Sequence, residues 1–145
     1  MTDQEDYVLL VEDNADDVIL TLRSFKKNSF PYKIVVVNDG AEALNHLFGD
    51  DPQSQREIAK VPKVILLDLN LPKVQGLEVL KRLRADPLLK NVPAVILTSS
   101  NEEKDRTEAE NLGADLYIRK PINFNDFDDV AQQIKDLLSA RAPGV

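Results

Sequence analysis

The chain has 145 residues, a formal charge of −7, and 43% hydrophobic against 30% charged residues, the balance of one globular domain with room for a core. An acidic chain lacks the basic face that non-specific nucleic-acid binding needs. With no cysteine and one histidine, it excludes disulfides, thiol catalysis and a multi-histidine zinc site within one chain.

Residues 1–6 are polar and acidic, unlike a signal peptide. No apolar run nears the roughly 20 residues of a membrane span, so a cytoplasmic domain with no membrane partner is expected. Tyr7-Val8-Leu9-Leu10-Val11 is a short continuous apolar run, the pattern of a strand buried on both faces. Glu12-Asp13 stand at its tip. Asn14 is placed to cap a helix whose first turn holds Asp16 and Asp17, which suit the positive end of its dipole. Val18, Ile19, Leu22 and Phe25 then recur at helical spacing, Lys26-Lys27 occupy the last turn, and Asn28 to Pro31 break the run. Ile34 to Val37 make a second strand, and Ala41 to Phe48 a second helix entered through Asp39-Gly40. Residues 49–62 are polar, contain Pro52, and read as a long excursion.

Val64 to Leu67 are the third strand, with Asp68 at its tip. Gln75 to Asp86 carry Leu77, Leu80 and Leu83 at helical spacing and stop at Pro87. Ala94 to Leu97 lead to Thr98 in the fourth strand. Glu102 to Leu112 form a very polar helix halted by Gly113. Leu116 to Arg119 are the fifth strand, with Lys120 at its tip. Phe124, Phe127, Val130, Ile134, Leu137 and Leu138 give the clearest amphipathic stripe. Strands alternating with helices predict an α/β fold, (βα)5, with a doubly wound parallel sheet of five strands. Residues 1–145 read as a single domain, because 139–145 are too few for an output module.

In such a sheet the carboxyl ends of the strands share a crevice. Glu12, Asp13, Asp68, Thr98 and Lys120 should therefore converge. An aspartate can accept a phosphoryl group as an acyl phosphate, and the incoming charge needs a metal and a cation beside it. Mg²⁺ fits, since it uses few protein carboxylates and keeps waters. Asp13 and Asp68 are placed to bind it directly, Glu12 through water, and a backbone carbonyl near Asn70 to complete the protein's share. Lys120 would pair with Asp68 at rest and with a phosphoryl oxygen afterwards; Thr98 offers a hydroxyl to another.

At these residues the chain resembles the receiver domain of two-component response regulators. The matching pieces are Val11-Glu12-Asp13-Asn14, Leu67-Asp68-Leu69-Asn70-Leu71-Pro72, Gly76, Leu97-Thr98-Ser99-Ser100, Gly113-Ala114 and Tyr117-Ile118-Arg119-Lys120-Pro121. The resemblance implies a flavodoxin-like, CheY-like fold with strand order 2-1-3-4-5. It implies Asp68 as phosphoacceptor, fed by a sensor histidine kinase, with Glu12 and Asp13 at the metal and Thr98 and Lys120 on the phosphoryl group. It implies Tyr117 as an aromatic switch and a cis peptide between Lys120 and Pro121. Such a protein catalyses only its own phosphotransfer and dephosphorylation. Two departures stand out: Glu12 replaces the more familiar aspartate, and the long separation of Asp13 and Asp68 puts surplus chain in 49–62. The added length without an output module resembles the small regulators paired with bacterial and cyanobacterial phytochromes. That implies a phytochrome as kinase, a downstream phosphotransfer protein and a homodimer as further partners.

Other readings of the same residues are a phosphohydrolase with Asp68 as nucleophile, an unphosphorylated scaffold, and a flavin or nucleotide binder. Asn70 stands where a hydrolase wants a general acid. No glycine-rich loop follows the first strand, where Glu12-Asp13 would repel a phosphate. Tyr117 reads equally as simple packing, and His46 as a helix residue with no role.

Overall fold

The computed structural model describes residues 6–49 and 61–140. The excursion expected over 49–62 lies almost wholly outside them, as does the end of the chain after 140. In chain order the elements are β1 (Tyr7–Val11), α1 (Ala15–Lys27), β2 (Lys33–Val37), α2 (Gly40–Phe48), β3 (Val64–Leu67), α3 (Gly76–Ala85), β4 (Ala94–Thr98), α4 (Glu103–Asn111) and β5 (Leu116–Arg119). A 3₁₀ turn, Phe124–Phe127, then leads into α5 (Asp128–Ala140). All the strands pair in parallel, in the order β2-β1-β3-β4-β5.

The apolar runs of β1, β3 and β4 are buried from end to end, because alternate side chains feed two separate cores. Leu9, Val11, Ile65, Leu67 and Ile96 point to a layer that takes Ala43 and Leu47 from α2, Val79, Leu80 and Leu83 from α3, and Ala109 from α4. Val8, Leu10, Leu66, Val95 and Leu97 point the other way, onto Phe25 of α1 and onto Val130, Ala131 and Ile134 of α5. Each of these Val, Leu, Ile and Phe side chains contributes about 1.5–3 kcal/mol by leaving water. The two layers therefore hold the sheet in the middle and fix which strand tips lie side by side.

Helix α1 differs from its sequence reading. Ile19 and Leu22 are 54% and 36% exposed, whereas Thr21, Ser24 and Phe25 are buried. At about 100° per residue, positions 18, 21 and 25 share one face and position 19 falls well to its side. Hydroxyl residues are tolerated there because they are bonded: Thr21 Oγ1 donates to the Asp17 carbonyl at 2.7 Å, and Ser24 Oγ donates to the Phe127 carbonyl of the turn before α5. Short side chains let α1 and α5 pack closely.

The Lys120–Pro121 peptide also differs from expectation: no peptide bond among the described residues is cis. Proline only narrows the trans preference, to about 0.5–1 kcal/mol, and does not reverse it. Lys120 is aimed instead by the ladder between β4 and β5, which its backbone N–H extends by donating to the Thr98 carbonyl at 2.7 Å.

Candidate functional site

The order of strands reverses at β1, between β2 and β3, so the helices after β1 and β3 leave toward opposite faces and open a crevice at the strand tips. Backbone bonds pin its floor. Glu12 N donates to the Val37 carbonyl at 3.0 Å, and Asp68 N to the Val11 carbonyl at 3.2 Å. Asn14 opens α1 by accepting from Asp17 N at 3.0 Å, which sets the first turn of that helix over the crevice. On the far side Gly76 opens α3 against the loop after β3. A Cβ there would stand 2.2 Å from the Asp68 carbonyl oxygen, so only glycine lets the loop lie this close.

Three of the expected carboxylates meet. One oxygen each of Glu12, Asp13 and Asp68 lies within 4.8 Å of the others. Glu12 and Asp68 are buried, and Asp13 is exposed. Lys120 reaches in from β5, its Nζ 2.9 Å from Asp68 Oδ2 and 2.9 Å from Glu12 Oε1. The second Glu12 oxygen accepts from Asn14 N at 3.1 Å, and the second Asp68 oxygen from Asn70 N at 3.1 Å. Asp13, Asp17, Asp68, Asn70, Ser99 and Lys120 are among the residues lining an open cleft of about 480 Å³.

Thr98 is fully buried beside this cluster, and its Oγ1 accepts from Ser100 N at 3.3 Å. Tyr117 stands apart. It is half-buried toward α4, its hydroxyl donating to the Ser100 carbonyl at 3.4 Å and its ring 5.5 Å from the Arg106 guanidinium. Burial raises its pKa. His46 lies at the opposite end of the sheet, 2.9 Å from the Tyr7 hydroxyl.

One residue of the cluster escaped the sequence reading. Asp17 Oδ2 is 2.8 Å from Lys120 Nζ. The sequence assigned it only to the helix dipole.

Four carboxylates around one ammonium leave the site short of positive charge. Burial drives the Glu12 carboxyl up to about 7, against the opposing pull of Lys120. Burial alone would lower the Lys120 pKa, but its bonds to Asp17, Glu12 and Asp68 outweigh that and raise it. Oxygen donors of this kind, in charge excess, suit a hard divalent cation.

The fold and this cluster are those of a phosphoryl-accepting receiver, and residues 8–132 match the response regulator receiver domain family. The chain belongs to that family and is a two-component response regulator. Its sequence is 35% identical over 128 residues to response regulator Rcp1 of Synechocystis, spanning 88% of this chain and 85% of that one. It is 34% identical over 139 residues to the probable methanogenesis regulatory protein FilR2 of Methanothrix harundinacea, spanning 94% and 87%. The crystal structure of the phosphorylated cyanobacterial phytochrome response regulator RcpA superposes with a TM-score of 0.80 at 34% identity, over 95% of this chain and 96% of that one. The Mn²⁺-bound form of Rcp1 superposes at 0.78 and 34% identity, over 90% and 92%. Receiver domains bind a divalent metal, are generally not catalytic enzymes, and imply a histidine-kinase partner. Among the described residues no helix is long and apolar enough to cross a membrane.

Proposed function

We propose that Asp68 is the phosphoacceptor of this regulator and that the residues around it divide the work of receiving the group. The observation that carries this reading is the placement of Asp68. It is buried at a strand tip, 2.9 Å from Lys120 Nζ, and within 4.8 Å of the carboxylate oxygens of Glu12 and Asp13. Asp13, Asp68 and the Asn70 backbone carbonyl would hold Mg²⁺, with Glu12 assisting through water. The ion supplies charge neutralisation for the phosphoryl oxygens.

An Asp68 carboxylate oxygen attacks the phosphorus of a phosphohistidine on the kinase; the new P–O bond forms as the P–N bond breaks, and the imidazole nitrogen leaves with the electron pair. Lys120 then gives a hydrogen bond to a phosphoryl oxygen. Thr98 exchanges its contact with Ser100 N for another phosphoryl oxygen, and Tyr117 moves into the space this opens, changing the surface beside α4. Asn70 N–H holds Asp68 Oδ1 and its side chain offers no acidic proton, which counts against steady phosphatase turnover.

The phytochrome response regulator RcpA supports a narrower reading, a phytochrome as the kinase of this regulator; to it we add, from the resemblance of the sequence alone, a downstream phosphotransfer protein, a cytoplasmic setting and a homodimer. Intact mass after incubation with acetyl phosphate tests the core of it. A gain of one phosphoryl that needs Mg²⁺ and is absent in Asp68→Asn is the expected result. Normal labelling of Asp68→Asn would sink the assignment. Phosphotransfer from a phytochrome kinase, but not from an unrelated kinase, tests the narrower reading.

A further inference from the structure

The Lys120 ammonium has three N–H donors and three carboxylate partners: Glu12 at 2.9 Å, Asp68 at 2.9 Å and Asp17 at 2.8 Å. Its side chain is only 9% exposed, so its bonding is complete within the cleft. Two of these partners, Glu12 and Asp68, belong to the group whose oxygens converge for a cation, and Asp17 does not. A divalent ion among Glu12, Asp13 and Asp68 competes with the ammonium for two of its acceptors and repels it across a few ångströms of partly dry interior. A phosphoryl group on Asp68 takes the Asp68 acceptor as well. Asp17 sits on α1, with its side chain 23% exposed, and its bond to the lysine is drawn on by neither.

We propose that Asp17 is a positioning residue: its carboxylate holds the Lys120 ammonium at Asp68 while a divalent ion and a phosphoryl group draw on the lysine's other two partners. This rests on the reading of Asp68 as phosphoacceptor and assigns Asp17 a part in the same site. The opposite effect is physically available, since a fourth carboxylate also repels an incoming phosphodonor, and the two effects have opposite signs in a rate. If positioning dominates, removing Asp17 slows phosphorylation; if repulsion dominates, it speeds it.

The test is the initial rate of acyl-phosphate formation from acetyl phosphate at saturating Mg²⁺, read by intact mass on the full chain, with melting curves to confirm folding. Asp17→Ala is expected to slow the reaction about fivefold to tenfold through a displaced cation. Asp17→Asn keeps a neutral acceptor at the same place and is expected to recover part of that loss. In a Lys120→Met background, Asp17→Ala is expected to have no further effect, because nothing is left to position. An unchanged or faster rate in Asp17→Ala overturns the proposal, as does an equal fold-loss with and without the lysine. A wild-type chain that gains no phosphoryl, or an Asp68→Asn chain that gains one, overturns the reading of Asp68 as phosphoacceptor and the proposal with it.

Discussion

The two ends of the sheet carry ionic clusters of opposite character. At the amino end Arg84, on α3, donates to the carbonyls of Lys90, Val92 and Gly113 at 2.7–3.1 Å and pairs with Asp115 at 3.0 Å. Asp115 in turn accepts from Ala94 N at 2.8 Å. Here a cation meets an anion and a ring of backbone oxygens, so opposite charges and hydrogen bonds face each other. The result ties α3 to the segments that enter β4 and β5. At the carboxyl end one ammonium faces four carboxylates, with two of them buried. Balanced ions at one end serve the fold. Unbalanced ions at the other cost stability unless a cation arrives, and the metal and phosphoryl chemistry proposed for that end would draw on this imbalance.

The contrast is broken most sharply by substitutions that exchange its two effects. Asp68→Asn should lower acyl-phosphate formation at least about a hundredfold, to the background of other carboxylates, while its melting curve stays cooperative. Arg84→Ala should do the reverse. It strips Asp115 and three carbonyls of their donor and should cost about 3 kcal/mol in urea unfolding, with labelling of the folded chain unchanged. Loss of labelling in folded Arg84→Ala would show that the two ends are not separate.

Gly76→Ala lies between these cases, because its Cβ would press on the Asp68 carbonyl at 2.2 Å. It should destabilise the fold by about 2–3 kcal/mol, and should also weaken Mn²⁺ binding measured by electron paramagnetic resonance, since the loop it displaces carries Asp68 and Asn70. Asp13→Asn should have a smaller effect of opposite sign. Relieving one like charge at this exposed position should stabilise the metal-free chain by less than about 1 kcal/mol, at the expense of about tenfold or more in divalent affinity.

The last effect is a slope with pH. Glu12 titrates near 4.5 when unfolded and near 7 when folded. The folded chain therefore holds a proton that the unfolded chain has released, and metal-free stability should fall as pH rises from about 4.5 to about 7. Saturating Mg²⁺ should flatten that fall by favouring the carboxylate, and Glu12→Gln should remove the fall, leaving the rise with pH that burial of His46 contributes. A fall that persists in Glu12→Gln would assign it to another group.

The strands were legible because each is a short apolar run ended by a polar residue, and burial on both faces requires such a run. Their tips place Glu12, Asp13, Asp68, Thr98 and Lys120 toward one crevice from the sequence alone. The cap of α1 was legible for the same local reason: Asn14 accepts the backbone N–H three residues on. The buried face of α1 was not, because spacing of apolar residues points to Ile19 and Leu22, while the neighbouring α5 selects Thr21 and Ser24. Arg84 was equally silent, since its partners lie 6 to 31 residues away in the chain.

What this sequence determines by itself is its alternation of elements, the parallel sheet they imply, and the polar residues that each strand must deliver to its end. These follow from burial and from capping, which act over a few neighbouring residues. Tertiary structure alone decided that Lys120 meets Asp17 as well as Glu12 and Asp68, that Lys120–Pro121 is trans, and that Tyr117 rests on Ser100 and Arg106. Those outcomes depend on distances between elements far apart in the chain, set by how two cores pack on one sheet, and no local pattern of residues encodes such a distance.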